Sequence, residues 1–348
     1  MSRWFHTFFL GTLLAGFLSM GVGAVLFVRF LETPLDGPRR VVIDKGWNLT
    51  RIARFLEAEG IVPSAQWFVL LGYFHHRRAT RIHAGEYRFL PGETPPRILI
   101  RLEHGDVVRY QFSFPEGLTV REVAARMQEE GWKEALTLSR ETALLKKLGL
   151  DAPSLEGWLF PETYFFVLGD TTLEMLARMT RMTRKVLHEE WRRRAPEVQL
   201  TPLQALTLAS IIEKETGRAS ERQRISGVFH NRLRRHMRLE SDPTVIYGLH
   251  DYRGDITRQH LLTPTPFNTY TQFGLPPTPI CNPGQASIHA ALHPEATEEL
   301  FFVAQGDGSH VFAKSFAEHK QNVSRFQLGK RGREVTPPEA PAAPEKPV

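Results

Sequence analysis

Residues 201–217 read T-P-L-Q-A-L-T-L-A-S-I-I-E-K-E-T-G, and this segment is the strongest helix signal in the second half of the chain. Thr201 is typical of a helix N-cap, and Pro202 suits the first helical position. Gln204, three residues after Thr201, completes a capping box. The segment therefore predicts a helix that continues through Thr216 and ends at Gly217.

An apolar stripe on this predicted helix ends in a carboxyl group. The i, i+3, i+4, i+7 spacing places four residues on one face: Leu208, Ile211, Ile212 and Glu215. An apolar surrounding and the negative end of the helix dipole should both raise the pKa of Glu215. A carboxyl that is protonated near neutral pH suits general acid catalysis at a glycosidic oxygen. Glu213 lies about 160° around the helix, and both glutamates could equally be the charged end of an ordinary helix.

The sequence after this helix predicts a second helix and then irregular loops. A capping box formed by Ser220 and Gln223 predicts the helix start, and five apolar residues should face inward: Ile225, Val228, Phe229, Leu233 and Met237. Residues 241–284 are rich in proline, asparagine, threonine and tyrosine and are expected to be irregular. Rigid polar-aromatic loops suit sugar binding, although ordinary structured loops would have the same composition.

The first half contains an internal repeat. Residues 46–60 and 117–131 each run from glycine to glycine with apolar side chains at equivalent helical positions, and residues 92–105 form a weaker third copy. Strand-like segments precede these helices at 40–43, 85–89 and 108–114. Small strand–helix units of this kind resemble LysM-type modules, which bind glycans that contain N-acetylglucosamine. A generic α+β domain without a ligand remains the alternative.

Both ends of the chain differ from its middle. Residues 7–28 carry no charged side chain, and this apolar run is long enough for a membrane-spanning helix and longer than the core of a cleaved signal peptide. Arg3 and Arg29 flank it, so basic residues leave the orientation open. Residues 331–348 are proline-rich with little apolar bulk and are expected to be disordered.

Composition sets broad limits on the function. The chain has 348 residues, of which 42% are hydrophobic and 24% charged, enough for two globular domains. A net charge of +6 favours an anionic partner or a membrane surface, but the sequence has no nucleic-acid-binding motif. Cys281 is the single cysteine, so no internal disulfide can form. We expect no metal site and no cofactor.

Several ordered blocks carry a family resemblance. They are A-S-I-I-E-K-E-T (209–216), A-S-E-R (219–222), V-F-H-N-R-L (228–233), S-D-P-T-V-I-Y-G (241–248), F-N-T-Y (267–270), G-L-P-P (274–277), N-P-G (282–284) and E-G-W-L-F-P-E-T-Y (156–164). In this order they resemble the endolytic murein transglycosylases of the YceG-like family. The resemblance extends over residues 40–325.

The resemblance implies a fold and an activity. The fold is α+β: a transmembrane helix at 7–28 after a short cytoplasmic end at 1–6, a linker at 29–38, a LysM-like subdomain at 39–115 and a catalytic domain at 116–330. The implied location is the inner membrane, with the catalytic domain in the periplasm. The implied reaction cleaves the β-1,4 bond between N-acetylmuramic acid and N-acetylglucosamine in nascent peptidoglycan. It leaves a 1,6-anhydromuramic end and terminates strand elongation beside the peptidoglycan synthases.

The family's catalytic glutamate falls on Glu215. Eight further residues are candidates for substrate binding: Glu213, Glu221, Asn231, Asp242, Thr244, Tyr247, Asn268 and Tyr270. Three alternatives remain at this point. They are a lysozyme-like hydrolase with a second carboxylate, a non-catalytic wall-binding or divisome scaffold in which Glu215 is structural, and an anchored protein that acts on another substrate.

Overall fold

The computed structural model describes residues 3–75, 82–132, 134–135, 142–249, 252 and 254–328. The predicted disordered tail lies outside these residues. The chain is a mixed α+β protein, as predicted, and it divides into two compact units. The first comprises Met1–Phe112 and Tyr164–Thr171, and the second Ser113–Thr163 and Thr172–Val348.

The first unit packs three short helices against a two-stranded sheet. Its elements are α1 (Arg3–Glu32), β1 (Arg39–Ile43), α2 (Leu49–Ala58), α3 (Ala65–His75), β2 (Gly85–Phe89) and α4 (Pro95–His104). Strands β1 and β2 are antiparallel, with Val41 opposite Tyr87. The amphipathic stripes of α2 and α4 turn inward, so Leu56 and Leu102 are fully buried beside Phe68 of α3. A short sheet follows, in which β3 (Tyr110–Ser113) pairs with β4 (Thr163–Phe166).

The membrane-span prediction concerns α1, which extends beyond residues 7–28 at both ends. Its described apolar side chains up to Val28 are mostly exposed, whereas Phe30 is buried in the core of the first unit. Within the described part of the chain, no helix combines the length and the apolarity that a membrane crossing needs. The anchor therefore stays a prediction.

The second unit is mainly helical. Its elements are α5 (Val120–Glu129), α6 (Thr142–Lys147), α7 (Thr172–Arg193), α8 (Pro202–Glu215), a 3-10 turn (Ala219–Glu221), α9 (Arg222–Arg234), α10 (Asp242–Gly248), α11 (Arg258–Leu262), α12 (Gln285–Leu292), β5 (Phe301–Ala304), β6 (His310–Ala313), α13 (Phe316–Val323) and a π-helical turn (Ser324–Leu328). Strands β5 and β6 form an antiparallel hairpin, with Phe302 opposite Phe312.

Helix α8 is the centre of this unit. All residues from Ala205 to Ile212 are buried, because α7, α9, α10 and α12 pack around the helix. The predicted capping box is present, since Thr201 Oγ1 accepts from the Gln204 amide and the Gln204 side chain accepts from the Thr201 amide. The carboxyl end of α8 is therefore held in place by buried neighbours on several sides.

The repeat prediction is confirmed at the level of its helices. Helices α2, α4 and α5 occupy the three copies, and each is followed by a glycine in the left-handed region. The φ angles are 67° at Gly60, 66° at Gly105 and 96° at Gly131. A side chain there would be strained, which explains why all three copies end in glycine.

Three local predictions need correction. Helix α8 ends at Glu215 because Thr216 is extended (φ −142°) and its hydroxyl accepts from the Arg218 amide at 3.0 Å. The Ser220 capping box does not form, since Ser220 lies inside the 3-10 turn and α9 begins at Arg222. The region expected to be irregular, residues 241–284, contains the short helices α10 and α11, whose seven and five residues are too few to show a helical period.

Candidate active site

The carboxyl end of α8 opens into a cavity of about 400 Å³. This volume lies within the usual range for ligand pockets. Residues from α8, α9, the β5–β6 hairpin, α13 and the loops around α10 line the cavity. They are Glu215, Arg232, Leu239, Glu240, Asp242, Tyr270, Phe302, Val303, Ala304, His310, His319, Val323 and Gln327. The wall is therefore a mixture of carboxylates, basic groups and rings.

Glu215 is the last residue of α8 and is half-buried in this wall. Burial raises the pKa of its carboxyl group to about 7, and the negative charge of Asp242 also raises it. The Ser241 hydroxyl donates a 2.5 Å hydrogen bond to Glu215 Oε1, which lowers the pKa, as does the charge of Arg232. Desolvation outweighs these opposing effects, so the carboxyl group can carry a proton near neutral pH.

Asp242 and Tyr270 share the cavity with Glu215. The Tyr270 hydroxyl donates to Asp242 Oδ1 at 2.7 Å, and burial raises the pKa of Tyr270. Glu240 adds a third carboxylate, which lies 3.3 Å from the guanidinium of Arg232. The cavity thus holds two carboxylates besides Glu215.

Hydrogen bonds to two threonines hold the segment that carries Ser241. Thr269 Oγ1 accepts from the Ser241 amide at 2.9 Å, and Thr244 donates to the Ser241 carbonyl at 2.7 Å. Thr244 is fully buried and does not reach the cavity. Glu240 adopts a left-handed conformation (φ 49°), which is unusual for a residue with a side chain. Its backbone amide donates to the Thr269 carbonyl at 3.2 Å.

Glu213 faces a different environment from Glu215. Its Oε2 accepts from the Gly284 amide at 2.9 Å, and its Oε1 lies 3.6 Å from Arg222. It does not line the cavity. Helix geometry separates the two carboxyl groups as expected, and Glu213 ties the N-terminus of α12 to α8.

The other predicted binding residues make structural contacts outside the cavity wall. Asn231 donates to the carbonyls of Thr297 and Glu299, just before β5. Asn268 donates to three carbonyls at the end of α11, the shortest to Thr263 at 2.7 Å, and fixes the loop that carries Tyr270. Their amides position elements that border the cavity.

Tyr247 and Glu221 each hold a further buried contact. The Tyr247 hydroxyl donates to Glu156 at 3.0 Å, and burial raises the pKa of Glu156 to about 7. Glu221 accepts from His310 Nδ1 at 2.7 Å and from the His310 amide. Glu221 thereby orients His310, whose ring lines the cavity.

The candidates predicted from the sequence do not include Ser241, which donates to Glu215, or three residues of the cavity wall: Arg232, His310 and His319. Ser241 and Arg232 lie within the quoted motif blocks, which was the available signal. His310 and His319 belong to the hairpin and to α13, and nothing in their local sequence indicates that they border this cavity.

The single cysteine, Cys281, is fully buried, and burial raises the pKa of its thiol.

Among the residues that the structure describes, one group in the second unit could hold a metal ion, and none of its members lines the cavity. It comprises Glu190, His289 and His293. His289 lies in α12 and His293 follows it directly, and their four-residue spacing brings the two imidazoles to the same side of this segment.

Comparisons with known proteins identify a family for this chain. The model of the YceG-like family matches residues 41–325. The chain is 29% identical over 327 residues to an endolytic murein transglycosylase of Bacillus subtilis, covering 87% of this chain and 90% of that protein. It is 27% identical over 319 residues to an endolytic murein transglycosylase of Streptococcus pneumoniae serotype 2, covering 82% of this chain and 57% of that protein.

A solved structure is also similar. The crystal structure of a YceG-like protein from Listeria monocytogenes matches with a TM-score of 0.54 and 27% identity, covering 82% of this chain and 98% of that one. The family match spans most of the chain, from the first strand to the end of α13. The chain therefore belongs to the YceG-like family.

Proposed function

We propose that this protein is an endolytic lytic transglycosylase that cleaves peptidoglycan between N-acetylmuramic acid and N-acetylglucosamine, with Glu215 as its general acid and base. The observation that carries the proposal is the position of Glu215: a carboxyl group with a pKa raised to about 7, in the wall of a polar cavity of about 400 Å³. The relatives named endolytic murein transglycosylase support the substrate class.

In the first step, protonated Glu215 gives its proton to the glycosidic oxygen, and the bond from that oxygen to the muramic anomeric carbon breaks. The muramic N-acetyl oxygen assists at the anomeric carbon, as in substrate-assisted glycosidases. The leaving sugar departs with a free 4-hydroxyl. Asp242, on the same cavity wall, supplies negative charge near the positive charge that develops on the ring.

In the second step, the Glu215 carboxylate removes the proton from the muramic 6-hydroxyl. The 6-oxygen then attacks the anomeric carbon of the same sugar and closes the 1,6-anhydro ring. Glu215 ends the cycle protonated, and no water is consumed. Ser241, which donates to Glu215 Oε1, stabilises the carboxylate between the two steps.

The experiment uses full-length protein in detergent with purified peptidoglycan, and the muropeptides are read by mass spectrometry. We expect anhydromuramic ends from the wild type and a loss of roughly 10²- to 10⁴-fold in Glu215→Gln. Glu213→Gln is the matched control, because the same change is made two residues away on the same helix and outside the cavity.

The alternative outcomes distinguish the rival functions. Reducing ends would identify a hydrolase, in which Asp242 or Glu240 activates water. Loss of cleavage in Glu213→Gln with retention in Glu215→Gln would identify Glu213, and not Glu215, as the general acid. Wild-type protein that binds peptidoglycan without cutting it, even in membranes with its synthases, would favour a scaffold.

The proposal also includes the membrane anchor, the domain boundaries and the role in strand termination. We place residues 7–28 in the inner membrane, supported by exposed apolar side chains such as Phe17 and Leu18 on α1. The residues from 39 onward would then face the periplasm, with residues 39–115 as a LysM-like subdomain and residues 116–330 as the catalytic domain. Cutting nascent strands beside the peptidoglycan synthases would terminate their elongation.

A further inference from the structure

Helix α7 buries a carboxylate that takes no part in the proposed reaction. Its inward-facing stripe continues from Thr183 through Val186 and Leu187 to Glu190, which is 7% exposed. A carboxylate at such a position requires compensation by charge or hydrogen bonds. In the described part of the chain, the ion-pair partners found for Glu190 are both histidines, and neither lysine nor arginine is among them.

His289 of α12 and His293, the residue directly after this helix, supply both partners. His289 Nδ1 donates to Glu190 Oε2 at 2.8 Å, and His293 Nε2 lies 3.6 Å from the same oxygen. The two imidazole rings stack at 4.3 Å. One candidate ligand atom from each of the three residues lies within 4.8 Å of the others. A tetrahedral zinc ion holds its nitrogen and oxygen ligands about 3.3 Å apart, so small side-chain movements would bring these atoms around one ion.

The second observation is a buried ring nitrogen of His293. Its Nε2 is buried without a hydrogen-bond partner among the described residues. A buried carboxylate therefore lies beside an imidazole nitrogen that makes no hydrogen bond, and carboxylate and imidazole groups are ligands for divalent metal ions.

The surroundings orient these ligands. Gln285, one turn before His289 on α12, donates to the other carboxylate oxygen of Glu190 at 3.3 Å. The backbone carbonyl of His293 accepts from the Gln223 side chain of α9 at 3.0 Å. Outer contacts of this kind fix the direction of metal ligands. His289 remains 44% exposed at its side chain, which leaves access for an ion and a water molecule.

We propose that Glu190, His289 and His293 form a binding site for a divalent transition metal ion, with Zn²⁺ as the ion of best-matched chemistry. Two imidazoles and one carboxylate, completed by water, make a four-coordinate site. The ion would replace the proton between His289 and Glu190 and would join α7 to α12. Because α12 packs directly against α8, the site would stabilise the scaffold that carries Glu215.

The test is a Co²⁺ titration of the full-length protein, freed of metal and purified without a histidine tag. Visible absorption reports tetrahedral Co²⁺, and competition with Zn²⁺ gives the affinity for zinc. We expect stoichiometric binding and a rise in the thermal midpoint with Zn²⁺ but not with Mg²⁺. In His289→Ala and His293→Ala the affinity should fall by more than the roughly 10- to 100-fold that loss of an outer contact costs.

Two further variants sharpen the result. Gln285→Leu, which changes only an outer contact, should weaken binding by about tenfold and keep the Co²⁺ spectrum. His104→Ala removes an exposed histidine from α4 and should change nothing, which controls for adventitious surface binding. Absence of Co²⁺ absorption and of a zinc-dependent midpoint shift in the wild type would overturn the proposal. Equal affinity in the wild type and His289→Ala would also overturn it.

Discussion

At the scale of single residues, Glu213 and Glu215 show how surroundings separate two identical side chains. Both lie in the last turn of α8. Glu213 accepts from a backbone amide and lies near Arg222, whereas Glu215 borders a cavity beside Asp242 and Ser241. Burial and the charge of Asp242 raise the pKa of Glu215, and this distinguishes an acid catalyst from a structural carboxylate.

The raised pKa has a cost for folding. A carboxyl group with a pKa of 4.5 when unfolded and about 7 when folded supports stability below the unfolded pKa. That support is lost as the pH rises through the folded value. Glu215→Gln should therefore stabilise the protein above neutral pH, by up to about 3 kcal/mol, and change little near pH 4.5. Free energies of unfolding in urea, measured at several pH values, would test this. A gain that is independent of pH would contradict it.

Two neighbours should move the pH profile in opposite directions. The cleavage rate (kcat/KM) should fall as Glu215 loses its proton near pH 7. Asp242→Asn removes a negative charge and should shift this fall to lower pH. Ser241→Ala removes a donor to the carboxylate and should shift it to higher pH. Initial rates from about pH 5 to about pH 9 would show both shifts. Shifts in the same direction would mean that another group controls the profile.

At the scale of elements, close packing explains why α9 has a glycine in its interior. Gly227 lies in α9, and a Cβ atom there would sit 2.5 Å from the Glu295 carbonyl oxygen and 2.8 Å from Thr297 Cγ2. The backbone of the segment before β5 therefore approaches the helix directly. This contact, together with the amide of Asn231, positions β5 at the cavity.

Gly227→Ala should be destabilising, although alanine normally stabilises a helix interior by about 0.5–1 kcal/mol. The added methyl group must displace backbone atoms, at a cost of about 1–3 kcal/mol. The free energy of unfolding would measure the effect. Gly217→Ala is the control, since a Cβ atom at Gly217 meets nothing within 4 Å. Equal effects of the two substitutions would contradict the proposed close contact.

The elements also show what the sequence could predict. Helices α2, α5 and α8 have regular apolar stripes and clear caps, so their existence follows from local rules. Helices α10 and α11 are too short to show a period, and the proline of α10 at its N-terminal end looks like a loop signal. The apolar stripe of α8 predicts Glu215 as the candidate acid from the sequence, whereas its hydrogen bond with Ser241 arises only from tertiary packing.

Tertiary contacts also show what the sequence could not predict about the candidate binding residues. Asparagine is common in sugar-binding sites, but the side-chain amides of Asn231 and Asn268 donate to backbone carbonyls in this structure. The same amide group suits either use, and only its partners decide between them. The proposed metal site could not be predicted from the sequence, because Glu190 lies on α7 whereas His289 and His293 lie on and directly after α12, and only tertiary contact brings them together.

At the scale of the whole molecule, the first unit and the second unit have separate hydrophobic cores. The proposed chemistry and the proposed metal site belong to the second unit. The apolar surface of α1 belongs to the first unit, and the net charge of the chain is +6. These features together favour attachment to an anionic membrane surface.

Deletion of residues 1–28 should release the protein from membranes. Full-length protein should resist extraction with alkaline carbonate, because a spanning helix is removed only by detergent. Deletion of residues 331–348 shortens the chain at the other end, without removing an apolar segment, and should leave the protein bound. Cell fractionation followed by immunoblotting gives the distribution. Extraction of the full-length chain by carbonate would exclude a spanning anchor.

The burial of Cys281 makes the protein convenient for site-specific labelling. It is the only cysteine of the chain, its thiol is fully enclosed, and its Sγ donates to the Ser210 carbonyl at 3.3 Å. Maleimide reagents react with accessible thiolates, which Cys281 does not offer. A cysteine introduced at Gln327, on the cavity wall, would therefore be the only reactive thiol. A fluorophore there could report glycan entry in the otherwise native sequence.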